Sequence, residues 1–191
     1  MLTKTVVFLL ETFLGLFAVA LLLRFYLQLL RAPARNPLST FLAALTDWIV
    51  VPARRIIPGL FRVDLSTLVL AWLVELVLLT AVAAVWGAGS AVLPRGLLVL
   101  ALAAALAVVK LSIYILMVAV IAQAVLSWVA PYSPAMPLLN SLTRPFLLVF
   151  SKRVPPVANV DLSPIFVVVA CQLALFLVSW IEADLLRAGL G

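Results

Sequence analysis

Three ionisable side chains and one amide interrupt the longest apolar stretches of the chain: Glu11, Glu75, Lys110 and Gln172. A charge at mid-bilayer costs about 2.5–3.5 kcal/mol on insertion scales, so such residues serve either to pair helices or to move a proton or ion. At 1.5 Å per residue, Lys110 lies about 18 Å into its stretch from Leu98, and Glu75 about 16 Å into its own from Asp64. Taken from opposite sides of a core about 30 Å thick, these depths nearly coincide and predict a buried Lys110–Glu75 ion pair. Glu11, nearer the far surface, is the competing partner, because lysine can extend toward the headgroups. Gln172 falls at the place of Glu75 in the second half of the chain, which predicts a polar centre where the halves meet.

A second constellation is doubled. Val63-Asp64-Leu65-Ser66 recurs as Val160-Asp161-Leu162-Ser163. Two carboxylates could act as an acid–base pair, but nothing in the spacing brings these two together. Serine at the mouth of an apolar helix instead accepts a hydrogen bond from an unpaired amide, a cap worth about 0.5–2 kcal/mol, and Pro164 suits the first helical position after Ser163. Ser66 and Ser163 are therefore expected to cap two helices. Asp64 then faces Arg54 or Arg55, and Asp161 faces Lys152 or Arg153. Arg24, Gln28 and Arg31 share one face of the first apolar stretch and reach toward lipid headgroups.

The chain has no histidine, which removes the Ser-His-Asp triad, histidine-held metals and a histidine haem ligand together. Its one cysteine, Cys171, has no partner for an internal disulfide. Paired-cysteine metal motifs, Walker loops and dinucleotide turns do not occur. Neither an enzyme nor a bound cofactor or metal is expected.

The elements that carry these residues follow from composition. Of 191 residues, 67% are hydrophobic and 10% charged, and the mean hydropathy is +1.33. A soluble core of this size cannot hide so much apolar surface, so the chain is an all-α membrane protein. Four stretches can cross a bilayer: about 5–30, 65–87, 98–128 and 164–186. The first could be mistaken for a signal peptide, but Glu11 interrupts its apolar region and the run continues past Ala20.

Sliding the sequence along itself reveals an internal repeat. At an offset of 97 residues Pro37 falls on Pro134, Leu42 on Leu139, Leu45-Thr46 on Leu142-Thr143, Pro58 on Pro155, and Val63 to Ser66 on Val160 to Ser163. Each repeat, 1–90 and 91–191, reads as span, proline-rich connection, span. Two spans per repeat make the copies parallel in the membrane. The two connections carry Arg31, Arg35, Arg54, Arg55, Arg62, Arg144, Lys152 and Arg153, against Lys4, Arg95 and Arg187 on the other side. The positive-inside rule places the connections in the cytoplasm and both termini outside.

Within the first connection Leu38, Phe41, Leu42, Leu45, Trp48 and Ile49 recur at helical spacing, and Leu138, Leu139, Leu142 and Phe146 do so in the second. Asn36-Pro37 and Ser133-Pro134 are helix-start signals, and Pro52 and Pro145 are expected to end or kink the segments. A short amphipathic helix lying in the cytoplasmic interface is predicted in each repeat. The basic residues suit anionic lipid headgroups at about 1 kcal/mol each. Nucleic acid is not an expected partner, since the pI of about 10.3 is accounted for by cytoplasmic anchoring.

These motifs, in order and twice over, resemble the YggT domain. The first copy has Asn36-Pro37, Thr46, Pro52-Ala53-Arg54-Arg55-Ile56-Ile57-Pro58-Gly59 and Asp64-Leu65-Ser66. The second has Thr143-Arg144-Pro145, Lys152-Arg153-Val154-Pro155 and Asp161-Leu162-Ser163-Pro164. The first departs from the pattern at Thr67, where the second has Pro164. The resemblance implies a bacterial inner-membrane protein related to the YlmG proteins, with links to osmotic and potassium tolerance, cell division or nucleoid organisation and, in plastids, cytochrome assembly. It implies no reaction. A scaffold or assembly factor with a membrane-protein partner or a second copy is the expected function. The alternative is a small ion or solute transporter lined by Lys110, Glu75 and Gln172.

Overall fold

A computed structural model describes residues 1–33, 36–57, 64–87, 94–152 and 162–190. They form six helices: α1 Leu2–Leu29, α2 Pro37–Ile56, α3 Leu65–Val85, α4 Pro94–Val129, α5 Met136–Ser151 and α6 Ser163–Leu190. Four of them are long and apolar enough to span a membrane: Leu2–Leu29, Leu65–Val85, Gly96–Val129 and Ser163–Ala188. Helices suit such runs because every backbone donor and acceptor is satisfied within the segment. The two halves repeat the same order of span, amphipathic helix, span.

α1 packs chiefly on α3, and α4 on α6, while α3 and α4 join the pairs. α2 lies against α1 and α3; α5 lies against α4 and α6. One core brings Ala18, Leu21 and Leu22 of α1 against Leu70, Ala71 and Val74 of α3, closed by Val50 of α2 and Val108 of α4. A second joins Ala20 and Leu27 to Leu42 of α2, Ala119 of α4 and Leu138 and Leu142 of α5. The third sets Val120 of α4 against Val167 and Cys171 of α6. The small residues of α4 are used inside the chain: Ala103 and Ala104 are fully buried, and the Trp72 indole of α3 donates to the Ala101 carbonyl at 2.9 Å.

The two amphipathic helices start differently for a chemical reason. In α2, Asn36 caps as expected: its Oδ1 accepts from the Ser39 amide at 2.7 Å, and the Thr40 amide donates to the Asn36 carbonyl at 3.3 Å. The residue equivalent to Thr40 is Pro137, which has no amide hydrogen to give to Ser133. Ser133 therefore does not cap a helix from Pro134. It sits in a turn, accepting from the Ala135 amide at 3.3 Å, and α5 begins at Met136, which moves Pro137 into the first turn where its missing donor costs nothing. Pro52 and Pro145 do not end their helices, which run on to Ile56 and Ser151. Both prolines are exposed, on the side of each helix turned away from the bundle.

The span starts also differ from expectation. Ser66 does not cap α3; its hydroxyl donates to the Ile57 carbonyl at 3.2 Å and ties the start of α3 to the end of α2. The Thr67 amide bonds the Asp64 carbonyl at 3.3 Å, a bond its counterpart Pro164 cannot make, and α6 begins at Ser163 with the Ile165 amide on the Leu162 carbonyl at 3.1 Å. Ser163 is fully buried there. At their far ends α1 and α3 close on left-handed residues. For α3 this is Gly87 at φ 74°, where glycine carries no penalty. For α1 it is Arg31 at φ 52°, where a side chain costs about 1–2 kcal/mol. The Arg31 amide bonds the Gln28 carbonyl at 3.1 Å and the Ala32 amide the Leu27 carbonyl at 2.9 Å, the paired bonds of a Schellman ending.

Candidate functional site

Polar residues meet at four places, and three of them fasten the amphipathic helices. Arg24 of α1 points at α2, donating to the Thr46 hydroxyl at 2.7 Å and pairing with Asp47 at 2.7 Å. Thr46 is fully buried and passes its own hydrogen to the Leu42 carbonyl at 2.6 Å. The buried face of α2 is thus Leu42, Thr46 and Val50, while Phe41, Leu45 and Trp48 are exposed. In the second half Gln123 of α4 takes the place of Arg24. Its Oε1 pairs with the hydroxyl of the fully buried Thr143, and its Nε2 donates to Asn140 at 2.7 Å. Arg24 and Gln123 stand 99 residues apart, whereas Thr46 and Thr143 stand 97 apart. The register therefore slips by two between span and amphipathic helix, and an ungapped comparison does not align these polar contacts.

The third fastening is the expected one. Arg54 near the end of α2 holds Asp64 through Nε at 2.8 Å and a terminal nitrogen at 2.5 Å. Asp64 is buried, so its carboxylate is neutralised where α3 begins. Arg55 is exposed, as is Lys152 at the end of α5. The expected partnership of Asp161 with Lys152 or Arg153 cannot be placed, because Asp161 and Arg153 lie outside the described residues.

The fourth meeting lies within the spans and corrects the expected ion pair. Lys110 of α4 pairs with Glu182 of α6 at 2.6 Å, and with neither Glu75 nor Glu11. Glu75 acts electrostatically on both members but makes no hydrogen bond among the described residues, although it is only 6% exposed. The reason is one of reckoning. Lys110 precedes the end of α4 at Val129 by about 19 residues, and Glu182 follows the start of α6 at Ser163 by the same number. Both therefore lie the same distance, roughly 28 Å along the helix, from the ends of α4 and α6 that adjoin at Val129 and Ser163. Depths counted from Leu98 mislead, because α4 has 36 residues and overshoots a 30 Å core. Glu182 was legible only from that shared end.

Gln172 does not join a polar centre. It is exposed, while Val167, Cys171 and Leu175 of α6 turn inward. α3 lies between α1 and α4 and buries a broad stripe that includes Glu75; α6 packs chiefly on α4, with α5 beside it, and buries a narrow one. Glu11 is likewise exposed, on α1. Among the described residues no three His, Cys, Asp or Glu side chains converge to hold a metal ion.

Four membrane-spanning helices, with two amphipathic helices bonded across their ends by buried threonines, define a class of small multi-pass membrane protein built from two like halves. The chain belongs to the CCB3/YggT family, whose pattern matches residues 3–85 and 102–181. It is similar to the uncharacterized protein PA0392 of Pseudomonas aeruginosa, 39% identical over 174 residues, covering 90% of this chain and 87% of the relative. An uncharacterized protein from the proC 3' region of Vibrio alginolyticus is 30% identical over 171 residues, 89% of this chain and 91% of that one. The uncharacterized protein YggT of Escherichia coli K12 is 29% identical over 195 residues, 97% and 93% of the two chains. No solved structure matches.

Proposed function

We propose that this protein is a non-enzymatic organising factor of the bacterial inner membrane that docks a second membrane-protein chain, or a second copy of itself, along α6. In this reading α2 and α5 lie in the cytoplasmic interface and both termini lie outside, as the charge asymmetry of the connections favours. The observation that carries the reading is Gln172. It lies about 9 residues, roughly 14 Å, from the start of α6, near mid-membrane, and it is exposed among Phe166, Val169, Leu173 and Phe176, all exposed too. A primary amide facing lipid has neither its donors nor its acceptor met, and a neighbouring helix satisfies both at about 0.6–2 kcal/mol per contact. The exposed Arg55 and Lys152 add a basic rim at the ends of α2 and α5 for the same partner or for anionic headgroups.

The test is a photocrosslinking residue at Leu173 in living membranes, followed by identification of the adduct. A discrete protein adduct is expected, weakened severalfold by Gln172→Leu and by the double reversal Arg55→Glu with Lys152→Glu. Its mass tells a foreign partner from a second copy. Adducts to lipid alone would refute the docking reading.

A further inference from the structure

Where α1 ends and α2 begins there is a cleft of about 410 Å3. Arg24, Gln28 and Arg31 line it from α1 and Ser39 from α2, with Leu27 and Leu42 as its apolar floor. Spacings of four and three place the three α1 residues in one row. Arg24 at the inner end is already balanced by Asp47 and Thr46. Arg31 at the mouth is not: its guanidinium makes no hydrogen bond or ion pair among the described residues, and neither does the Gln28 amide. The cleft therefore carries one uncompensated positive charge beside an amide and a hydroxyl.

The backbone adds an independent observation. Arg31 occupies the left-handed ending of α1, a position that Gly87 fills at the end of α3. Glycine would relieve the strain, and arginine keeps it. Strain of this kind persists where the side chain has a use that the fold maintains. The cleft also sits at the junction of a spanning helix and an amphipathic one, the level at which lipid phosphates lie.

We propose that this cleft binds the phosphate of an anionic membrane phospholipid. The forked Arg31 guanidinium takes two phosphate oxygens, the Gln28 amide and Ser39 hydroxyl offer further donors, and the glycerol end of the acyl chains rests on Leu27 and Leu42. This site goes beyond the α6 docking surface and shares with it only the placement of α2 at the membrane interface.

The whole protein, purified in mild detergent, is mixed with phosphatidylglycerol or phosphatidylcholine and weighed by native mass spectrometry. The expected result is about a tenfold preference for phosphatidylglycerol, the scale of one charge-assisted contact. Arg31→Gly removes that preference while the melting temperature holds or rises, and Lys4→Gln, which removes an exposed charge at the other end of α1, leaves it unchanged. Equal retention of the two lipids, or full retention by Arg31→Gly, overturns the proposal. Displacement of phosphatidylglycerol by millimolar inorganic phosphate also overturns it, in favour of a soluble anion.

Discussion

A lysine ammonium 2.6 Å from a carboxylate between two spanning helices is tolerable only as a pair. Removing one member strands the other charge where water is scarce; removing both strands none. Lys110→Leu and Glu182→Leu should each destabilise the protein by about 3–5 kcal/mol, and the double change by less than either. Denaturation in detergent measures this, and additive losses would show that the pair contributes nothing as a pair. Glu75 is the built-in control: Lys110→Leu with Glu75→Leu should show no such recovery, because Glu182 remains without its partner. At this scale part of the site was legible. The tie of Arg54 to Asp64 followed from a basic turn leading into a helix mouth. The partner of Lys110 did not, because α4 with its 36 residues overshoots a 30 Å core and depth from Leu98 does not fix the level of Lys110, and neither did the place of Arg24, because Thr46 reads as the polar side of α2 rather than its buried one.

Elements are governed here by where a proline removes a donor. The amphipathic helices were readable from spacing and caps, yet α5 starts two residues beyond the expected position because Pro137 cannot bond Ser133. Pro137→Ala supplies that hydrogen. The helix is then expected to extend back to Pro134 with Ser133 as its cap, stabilising it by about 0.5–2 kcal/mol. Slower amide exchange at residues 137–139 checks this, and unchanged exchange would mean that the turn at Ser133 is held by something other than the missing donor. Pro52 and Pro145 show the limit of the rule. A proline need not end a helix when it lies on the face turned away from the core, and sequence alone does not say which face that is.

Over the whole molecule the polar residues of the spans divide by exposure. Glu75 is buried and the Lys110–Glu182 pair half-buried between α4 and α6, whereas Glu11 and Gln172 are exposed on α1 and α6. The doubled plan of span, amphipathic helix and span was visible in the 97-residue register. What that register could not show is that the halves are unequal once packed: α3 is enclosed by neighbours and α6 is an outer helix, so equivalent residues, Glu75 and Gln172, face opposite environments.

That asymmetry leaves Cys171, the one cysteine in the chain, turned inward against Val120 and Val167 while the next residue faces out. A natural chemical clock follows from this. Alkylation of the thiol by a membrane-permeant maleimide can proceed only when α6 swings away from α4, so the labelling rate counts how often that seam breathes. An opening cost of about 2.7 kcal/mol would make the folded protein react about 100-fold more slowly than the unfolded chain. Equal rates would mean that the seam stands open.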